Sequence, residues 1–484
     1  MAERIEDIIE FRKKKLEALK AQGIDPYPSS TARDHTNAEA LGDYAELFEN
    51  KTKITVAGRI RSLRVQGKVA FAHIEDASGK LQIFFKADNL ADKFKLLEYF
   101  DLGDFIEATG VMFQTKTEER TLEVQEFRML SKSLRPLPSE HYGLADMEIR
   151  LRQRYLDLLM NPEVREMFIK KSKFWASMQK FLVDRDFLQI EAPVLEAVPG
   201  GAEAEPFITH HNALGRDFYL RIALELPLKK LIVGGYEKVF EIGRIFRNEG
   251  ISTTHLQDYT QMEFYWAYAD FEMLKKMLQE MYQYIIQETF DTLILTSSGV
   301  EVDWSGDWQE VDYFAIFKEH TGIDLDSVTD DQLKAYADSQ HIKYESFAGR
   351  GRLIDLIFKK VRAKIPSTKP VFLVNQPIEL EPLAKRDPKN PKVVQRLQIL
   401  AYGTELGKGF GELNDPIDQR SRFEDQMKLR QQGDNEAQML DEDYLEAMEY
   451  GMPPLAGFGV SERLFALLVD KSVRETVIFP PMKD

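Results

Sequence analysis

The segment spanning residues 240–265 constrains the fold of this chain most, because apolar and polar side chains alternate along both of its halves. The apolar positions hold Phe240, Ile242, Phe246, Met262, Phe264 and Trp266. The intervening positions hold Glu241, Gly243, Arg247, Gln261, Glu263 and Tyr265. A period of two is typical of β-strands, in which successive side chains point to opposite faces. The segment therefore predicts two antiparallel strands with one buried face and one polar, half-open face.

The polar side of this predicted hairpin has an unusual density of charged and aromatic groups. The polar face and the connecting loop carry Arg247, Glu249, His255, Tyr259, Glu263 and Tyr265. A surface hairpin with a solvated face would also alternate, and most alternating strands are of that kind. So many acids, arginines and tyrosines within one short span favour a platform that binds a polar ligand such as a nucleotide.

The length and composition of the chain indicate a soluble, cysteine-free protein. The chain has 484 residues, 43% hydrophobic and 30% charged, which predicts a soluble protein of two or three domains. No apolar run is long enough to span a bilayer and the N-terminus is charged, so we expect no membrane association, no secretory signal and a cytoplasmic location. The absence of cysteine excludes disulfides, thiolate catalysis and zinc ribbons. We therefore expect no zinc, and any metal, with Mg²⁺ the expected one, must bind oxygen ligands.

The net charge of −16 argues against a protein that is basic overall, but basic residues are concentrated near the N-terminus. A predicted helix that ends before Gly23 carries Arg12, Lys13, Lys14, Lys15 and Lys20. A lysine-rich helix of this kind is either a solvated surface helix or a surface that faces RNA. The sequence leaves both interpretations open.

Residues 53–130 have a different sequence pattern, in which glycine-containing turns separate five short strand-like segments. This pattern predicts a small closed barrel, for which the OB-fold that binds single-stranded nucleic acid is the commonest example. Phe71 is a candidate for stacking on an unpaired base, although it could instead belong to the core. Arg64, Gln82 and Glu126 are available to bind base edges.

Near the C-terminus, the segment A-G-F-G-V-S-E-R-L-F predicts a strand that runs into a helix. Gly457 and Gly459 allow a close approach of the backbone, and Ser461 is a candidate N-cap. Arg463 would then lie in the first helical turn, where an anionic phosphate is favoured.

A third polar segment, residues 398–415, contains Glu405 and Glu412 at an odd spacing, so a straight strand would direct them to opposite faces. Gly407, Gly409 and Gly411 provide bends that would bring both carboxylates into one site. Clustered carboxylates require a cation, and Mg²⁺ and a substrate ammonium group are the natural candidates.

These segments together resemble the class II aminoacyl-tRNA synthetases, and F-R-N-E-G-I-S from Phe246 closely matches their lysine-specific family. Further matching segments are V-A-G-R near Val56, R-Q-R-Y-L-D-L from Arg152, P-F-I-T-H-H-N-A-L from Pro206 and G-E-L-N-D from Gly411. The resemblance covers the chain from about residue 50 onward. It implies an ATP-dependent ligase that forms lysyl-adenylate from L-lysine and transfers the lysine to tRNA(Lys).

The resemblance also implies an α+β multidomain fold, with an N-terminal OB-fold barrel ahead of a catalytic domain built on an antiparallel sheet flanked by helices. The expected domains are a basic helix and loop (1–50), an anticodon-binding OB-fold (51–135), a linker (136–150) and a class II catalytic domain (151–484). The catalytic domain is expected to contain a helical insertion at about 310–365. A helix over 168–186 and a strand interrupted by Pro193 match motif 1, which in this family forms a homodimer interface.

The resemblance assigns roles to individual residues. Arg247 and Arg463 are implied as the catalytic arginines. The implied ATP site comprises Arg247, Glu249, His255, Tyr259, Glu405 and Arg463. The implied lysine site comprises Gly201, Glu225, Glu263, Tyr265, Lys408, Phe410 and Glu412. The implied Mg²⁺ ligands are Glu405, Glu412 and Gln398, and the implied anticodon-binding residues are Arg64, Phe71, Gln82 and Glu126.

The chain departs from the family pattern at four positions. Asp186 replaces a usual glycine, and the spacing before Arg463 is one residue shorter, with Glu462 in place of aspartate. Lys408 replaces an asparagine and Gln398 replaces a metal-binding glutamate. Lys408 could bind the substrate carboxylate directly and Gln398 could ligate Mg²⁺ through its carbonyl oxygen, or the two changes could alter metal binding and turnover.

Three other functions fit parts of the pattern. Synthetases for aspartate or asparagine share the domain plan, but the acidic set Glu225, Glu263 and Glu412 argues against an acidic substrate side chain. A protein lysylase would lack the N-terminal barrel. A non-enzymatic RNA-binding paralogue would be expected to lose Arg247 or Arg463, and both are present.

Overall fold

The computed structural model describes residues 2–138, 146–250, 255–345, 348–365, 368–434 and 436–482. The chain forms two compact units, Met1–Asp146 and Met147–Asp484. Residues 139–145, which fall within the predicted linker, and residues 251–254 lie outside the described ranges. No helix in the described part of the chain combines the length and apolarity that crossing a membrane requires.

The first unit is a five-stranded barrel with additional helices. Its strands are β1 Lys53–Gln66, β2 Val69–Glu75, β3 Lys80–Lys86, β4 Phe105–Gln114 and β5 Arg120–Ser131. Its helices are α1 Ala2–Ala21, α2 Asn37–Gly42, α3 Tyr44–Glu49 and α4 Ala87–Leu90, followed by a 3₁₀ helix, Ala91–Tyr99. The strands close in the order β1-β2-β3-β5-β4. Alternate residues of β2 and β3 are buried inside the barrel, as the period-two pattern predicts.

The basic helix α1 is held against the barrel by part of its own charge. The Arg12 guanidinium donates to the carbonyl oxygens of Leu102 and Ser133, both at 3.0–3.1 Å. Lys15 donates to the Asp101 carboxylate at 2.8 Å. These contacts assign a structural role to two members of the basic cluster and leave Lys13 exposed beside Glu10.

The second unit is built on strands and helices that alternate irregularly along the chain. Its strands are β6 Leu188–Gln189, β7 Leu195–Glu196, β8 Ile208–His211, β9 Arg216–Leu220, β10 Lys238–Phe246, β11 Asp258–Ala267, β12 Ile294–Ser297, β13 Val300–Asp303, β14 Gln309–Asp312, β15 Val371–Val374, β16 Gln376–Pro377, β17 Val393–Val394, β18 Arg396–Ala401, β19 Thr404–Gly411 and β20 Leu455–Ser461. Its helices are α5 Met147–Arg152, α6 Arg154–Met160, α7 Pro162–Val183, α8 Glu225–Val233, α9 Phe271–Phe290, α10 Tyr313–Thr321, α11 Asp330–Ser339, α12 Arg350–Arg362, α13 Pro416–Gln431, α14 Glu442–Glu449 and α15 Arg463–Leu468, with a 3₁₀ helix at Ile378–Leu380.

Eight of these strands form one sheet, in the order β14-β15-β18-β19-β20-β11-β10-β6. The five pairings from β15 to β10 are antiparallel, whereas the outermost pairs at each edge, β14–β15 and β10–β6, are parallel. The predicted antiparallel sheet is therefore the centre of a mixed sheet.

The long helices α7 and α9 cover one face of this sheet, because each has an apolar stripe at helical spacing. The core beneath them includes Phe174, Met178, Leu278, Tyr282, Met262, Phe264 and Phe458. The Asp270 carboxylate caps α9 by accepting from the backbone N–H of Met273. With one face occupied by helices, the polar residues of the central strands are directed to the other face.

The chain between α7 and the sheet explains one departure from the family pattern. Asp186 adopts a left-handed backbone conformation, with φ of +64°. Glycine is the usual residue in this region, but aspartate tolerates it better than most others. Pro193 then lies between β6 and β7, which belong to different sheets, so the predicted interruption of the strand is present.

The chain between β14 and β15 contains helices α10, α11 and α12, which share an apolar core of their own. The Tyr313 and Phe358 rings stack with centroids 4.1 Å apart within this core.

Candidate active site

The polar face of the central sheet carries the side chains that the sequence selects. Residues of β10 and β11 pair in antiparallel register, with Glu241 opposite Glu263 and Ile245 opposite Tyr259. Met262 and Phe264 are buried in the core beneath the helices, which confirms the predicted two-faced hairpin. Glu241 forms an ion pair with Arg221 at 2.7 Å.

An irregularity in β19 determines where Glu405 points. Gln398 pairs with Lys408, but Leu400 pairs with Glu405, so β19 contains one more residue than β18 in this interval. An extra residue reverses the alternation of side chains along a strand. Glu405 is thereby directed to the same face as Lys408 and Phe410, and all three line one cavity.

The end of β20 places Arg463 at the same cavity. β20 ends at Ser461 and α15 starts at Arg463, as the strand-to-helix pattern predicts. The hydroxyl of Ser461 accepts from the Arg463 backbone N–H at 3.4 Å, although the N-cap position itself is taken by Glu462. Because α15 spans only six residues, its dipole contributes little, and the charge that faces an anion is that of the Arg463 side chain.

Three carboxylates and one ammonium group are buried together next to this cavity. The exposed fractions are 4% for Glu225, 4% for Glu263, 1% for Glu412 and 0% for Lys229. Lys229 Nζ lies 2.5 Å from a Glu225 carboxylate oxygen and also contacts the Glu412 carboxylate. It lies 5.6 Å from the centre of the Tyr265 ring. Such a concentration of buried charge requires close pairing, which the Lys229 contacts supply in part.

Glu263 is held by neutral donors. The backbone N–H of Leu224 donates to one carboxylate oxygen at 3.2 Å, and the Tyr265 hydroxyl donates to the other at 3.1 Å. The Gln261 amide also donates to this carboxylate. Burial, followed by the neighbouring charge of Glu225, raises the pKa of Glu263 to about 7. Glu263 is thus half ionised near neutral pH until a cation approaches it.

Two glycines are required for these carboxylates to lie so close to the backbone. Gly201 has φ of +81°, and a Cβ there would lie 2.8 Å from the Cβ of Glu225. A Cβ at Gly457 would lie 2.3 Å from a Glu412 oxygen and 2.4 Å from the Tyr265 ring. Any larger residue at either position would displace the acidic cluster.

A second cavity adjoins the first one. Its walls are formed by Arg247, Glu249, His255, Leu256, Tyr259, Ser461, Glu462, Arg463 and Val473. Arg247 and Arg463 line both cavities, and the Arg247 guanidinium lies 5.7 Å from the centre of the Tyr259 ring. Partial burial and the charge of Arg463 lower the pKa of His255, so its imidazole is neutral at physiological pH. Two arginines beside an aromatic ring form a pocket suited to a nucleotide.

The implied metal ligands are only partly brought together. The Gln398 amide contacts the Glu405 carboxylate, whereas Glu412 contacts Lys229 in the interior. Among the described residues, no group of three or more His, Asp or Glu side chains is arranged to hold a metal ion. One carboxylate beside one amide still fits Mg²⁺, which commonly takes one or two protein ligands and completes its shell with phosphate and water. Lys408 Nζ lies 3.8 Å from Glu381, and Lys408 lies over the Phe410 ring.

The barrel has a cavity of about 610 Å³ on its outer surface, lined by Arg64, Phe71 and Gln82 among others. The Phe71 and Phe84 rings are 4.7 Å apart and form one wall. The fourth implied residue, Glu126, is not part of this wall. Its carboxylate is exposed and pairs with Lys53 at 3.2 Å, at a point on β5 opposite Thr109 of β4.

A different acid, Glu119, lies beside this cavity. Glu119, in the turn before β5, accepts from the Gln82 amide at 2.7 Å and contacts His73 at 3.0 Å. Both of these neighbours line the barrel cavity. The geometry therefore favours Glu119 over Glu126 as the acid that faces a ligand there.

Comparison of the amino-acid sequence with known proteins identifies related families for both units. Residues 146–483 fit the family model described as class II tRNA synthetases (D, K and N), and residues 54–130 fit an OB-fold nucleic acid binding domain. A lysine–tRNA ligase of Carboxydothermus hydrogenoformans is 43% identical over 99% of this chain and 98% of its own length. Those of Halalkalibacterium halodurans and Bacillus subtilis are 41% and 40% identical, also over 99% of this chain, and over 97% and 98% of their own lengths. The chain belongs to the lysine–tRNA ligase family.

Two side chains of the acidic cluster, Lys229 and Gln261, have no role assigned from the sequence. Lys229 lies four residues after Glu225 in α8, a spacing that pairs side chains on a helix. Gln261 is two residues before Glu263 on the polar face of β11. The helical spacing was the available signal for Lys229, but it does not reveal that α8 is buried on this side.

Proposed function

We propose that this lysine–tRNA ligase family member activates L-lysine with ATP to lysyl-adenylate, releasing pyrophosphate, and transfers the lysine to the 3′ end of tRNA(Lys), releasing AMP. The observation that carries the proposal is the position of a buried acidic cluster directly beside two arginines on one face of the sheet. The acids suit a substrate with two ammonium groups, and the arginines suit the carboxylate and phosphates that react.

In the proposed lysine complex, Glu225 and the backbone of Gly201 receive the α-ammonium group. Glu263, with the Tyr265 hydroxyl, and Glu412 receive the ε-ammonium group, and the Phe410 ring packs on the aliphatic stem. A neutral side chain would leave buried carboxylates without a cation, which is costly, so the pocket rejects such substrates.

The carboxylate of lysine is the nucleophile in the proposed reaction, and it attacks the α-phosphorus of ATP. Arg247 lies where the two cavities meet and would orient this carboxylate against the α-phosphate. Arg463 also lines both cavities and would neutralise the outer phosphates that leave as pyrophosphate. Glu249, His255 and Tyr259 would bind the adenosine and the phosphates, with the Tyr259 ring covering one face of the adenine.

Glu405 and Gln398 would hold Mg²⁺ against the ATP phosphates, where the metal would neutralise charge. To ligate Mg²⁺, Glu412 would have to break its contact with Lys229, so we place Glu412 in the lysine site instead. Lys408, on the same wall as Glu405, would then bind the carboxylate of lysine or a phosphate oxygen directly.

The barrel would bind the anticodon of the tRNA. Phe71 offers a ring for stacking, and Arg64, Gln82 and Glu119 offer polar groups at the same cavity. The enzyme would act in the cytoplasm, where its tRNA substrate is used.

Replacing Phe71 with alanine should weaken tRNA charging while leaving adenylate formation unchanged. Loss of one stacked base costs about 1–3 kcal/mol, which corresponds to roughly a 5- to 150-fold rise in KM for tRNA. Phe48→Ala is a matched control, because Phe48 is an exposed phenylalanine of the same unit that does not line this cavity. Equal losses of charging and of adenylate formation in the Phe71 variant would contradict an anticodon role for the barrel.

A homodimer formed through the α7 region is also proposed. Apolar side chains with exposed fractions from 38% to 56% occur along α7 and the chain that follows it, at Ile169, Val183, Leu188, Val194 and Leu195. β6 lies at an edge of the eight-stranded sheet. An exposed apolar group beside an open sheet edge is typical of a surface covered by another subunit.

The experiment that tests the proposed function is amino-acid-dependent exchange of pyrophosphate into ATP, measured with Mg²⁺ and each of the twenty amino acids. Exchange with lysine alone is the expected result. Exchange with another amino acid would overturn the assignment of the acidic pocket, and no exchange with any amino acid would overturn the activation step itself.

A further inference from the structure

Lys229 has no place in the lysine and ATP sites described above, yet it is the most deeply buried charged group beside them. Its side chain is 0% exposed, and its ammonium group contacts two of the three pocket carboxylates. The negative charges of Glu225 and Glu412 outweigh the effect of burial and raise the pKa of Lys229 well above its usual value. Lys229 therefore remains cationic throughout the physiological range.

The charge of Lys229 determines how many positive charges a ligand must bring to the acidic cluster. Once ligand cations favour ionisation of all three carboxylates, the single ammonium group of Lys229 leaves two negative charges for the ligand to balance. Free lysine carries two ammonium groups, and its carboxylate is expected to lie outside the cluster, against Arg247. Two ligand ammonium groups would bring the buried cluster to neutrality, whereas one would leave a buried negative charge that is costly.

We propose that Lys229 is a specificity-determining positioning residue that holds Glu225 and Glu412 in place and sets the charge available to a ligand at minus two. This inference deepens the proposed lysine activation and rests on it. Lys229 acts through the two carboxylates and does not touch the reacting atoms. Its backbone is fixed in α8, so it differs from a mobile surface lysine that would simply compete with the substrate.

The surroundings of Lys229 contain further groups that affect its charge. Tyr444 on α14 acts on Lys229 itself, and the Tyr265 ring of β11 lies beside it. The charges of Glu381, in the connecting chain, and Lys408 on β19 act on its partner Glu225, and Glu381 also acts on Glu412. Glu263 on β11 is affected by Glu225, and Asp441 acts on Tyr444. Burial raises the pKa values of Glu225 and Glu412, and in both cases the charge of Lys229 opposes the rise. Removing that charge should therefore make the Glu225 carboxyl group, which lies 2.5 Å from Lys229 Nζ, retain its proton to higher pH.

The test is the pH dependence of lysine KM in a Lys229→Met variant, which retains the length of the side chain and removes its charge. At pH 7 we expect KM for lysine to rise at least about tenfold, with kcat in exchange changed less than about threefold. The pH below which lysine binding weakens should move upward by about one unit, so that KM recovers partly at pH 8.5. A role in packing alone would not shift the pH profile.

Two further variants sharpen the test. Lys275→Met is the matched control, because Lys275 is also buried and pairs with two glutamates, Glu272 and Glu310, but on α9 outside the pocket. It should leave lysine KM and its pH profile unchanged. Lys229→Arg restores the charge and should return the pH profile towards that of the unmodified protein. An unshifted profile in Lys229→Met would overturn the proposal.

A measurement on the unmodified protein covers the case in which the methionine variant does not fold. Calorimetry should show that 1,5-diaminopentane binds at least about tenfold more tightly than 1-aminopentane, since only the diamine supplies two charges. Equal affinities would overturn the inference. If the unmodified protein shows no lysine-dependent exchange, the proposed function fails; if exchange is intact but the diamine is not preferred, the charge of minus two that Lys229 is proposed to set fails.

Discussion

Replacing Arg247 with alanine is expected to reduce lysine-dependent pyrophosphate exchange at least about a thousandfold while the protein remains folded. Loss of one preorganised charge from a reacting centre commonly lowers kcat by about 10²–10³, and Arg247 is proposed to contact both reactants. The side chain lines both cavities, and its Nε donates to the Ile222 carbonyl at 3.3 Å, which fixes its direction. Steady-state exchange and thermal unfolding of the same preparation would measure the two effects.

Arg244→Ala is the matched control for this prediction. Arg244 is three residues earlier on β10, but it pairs with Asp258 and does not line either cavity. Its variant should retain exchange within about threefold. Arg247→Lys should recover only a small part of the loss, because an ammonium group cannot form the two-point contact of a guanidinium group. Exchange within tenfold of normal in Arg247→Ala would remove the central role given to this residue.

Lysine binding should weaken below pH 7, and Glu263→Gln should abolish this pH dependence. The raised pKa of about 7 means that the ionised form of Glu263, which binds an ammonium group, falls about tenfold per pH unit below that value. KM for lysine should thus rise as pH falls from 7 to 6 and level off above about pH 8. The glutamine variant should have a KM at least about thirtyfold higher at pH 8, since it leaves a buried ammonium group short of its counter-ion.

The control for this second prediction is Glu196→Gln. Burial raises the pKa of Glu196 to about 8, but Glu196 does not line the lysine cavity. If removing any buried carboxyl group changed the KM for lysine, both variants would show the change. If Glu263 binds lysine, only the Glu263 variant should show it. The Glu196 variant should keep the rise in KM below pH 7. Retention of that rise in Glu263→Gln would show that another group governs lysine binding.

Much of this site could be predicted from the chain because its signals are local. The alternation of apolar and polar residues along β11 is enough to assign Met262 and Phe264 to the buried face and Glu263 and Tyr265 to the polar face. No other segment of the chain is needed for this assignment. The strand-to-helix transition before Arg463 likewise depends on a few consecutive residues. Such patterns depend only on backbone geometry, so a single sequence is enough to recognise them.

The remaining features depend on contacts between distant segments. Lys229 meets Glu412 only because α8 packs beside β11 and brings Lys229 to the residue that directly follows β19. Glu119 lies beside the barrel cavity only because the turn before β5 meets β2 and β3, which donate to it through His73 and Gln82. The parallel edges of the large sheet similarly result from long-range connections, which alternation along one strand cannot reveal.

The additional residue in β19 has a consequence for protein engineering. It makes the number of residues between Glu405 and Lys408, and not only their identities, a determinant of the active site. Grafting these side chains onto an unbulged strand of another scaffold would direct the Glu405 carboxylate into the hydrophobic layer beneath the sheet. A transplanted site must therefore carry the backbone irregularity with it, and a deletion of one residue there would be more damaging than most substitutions.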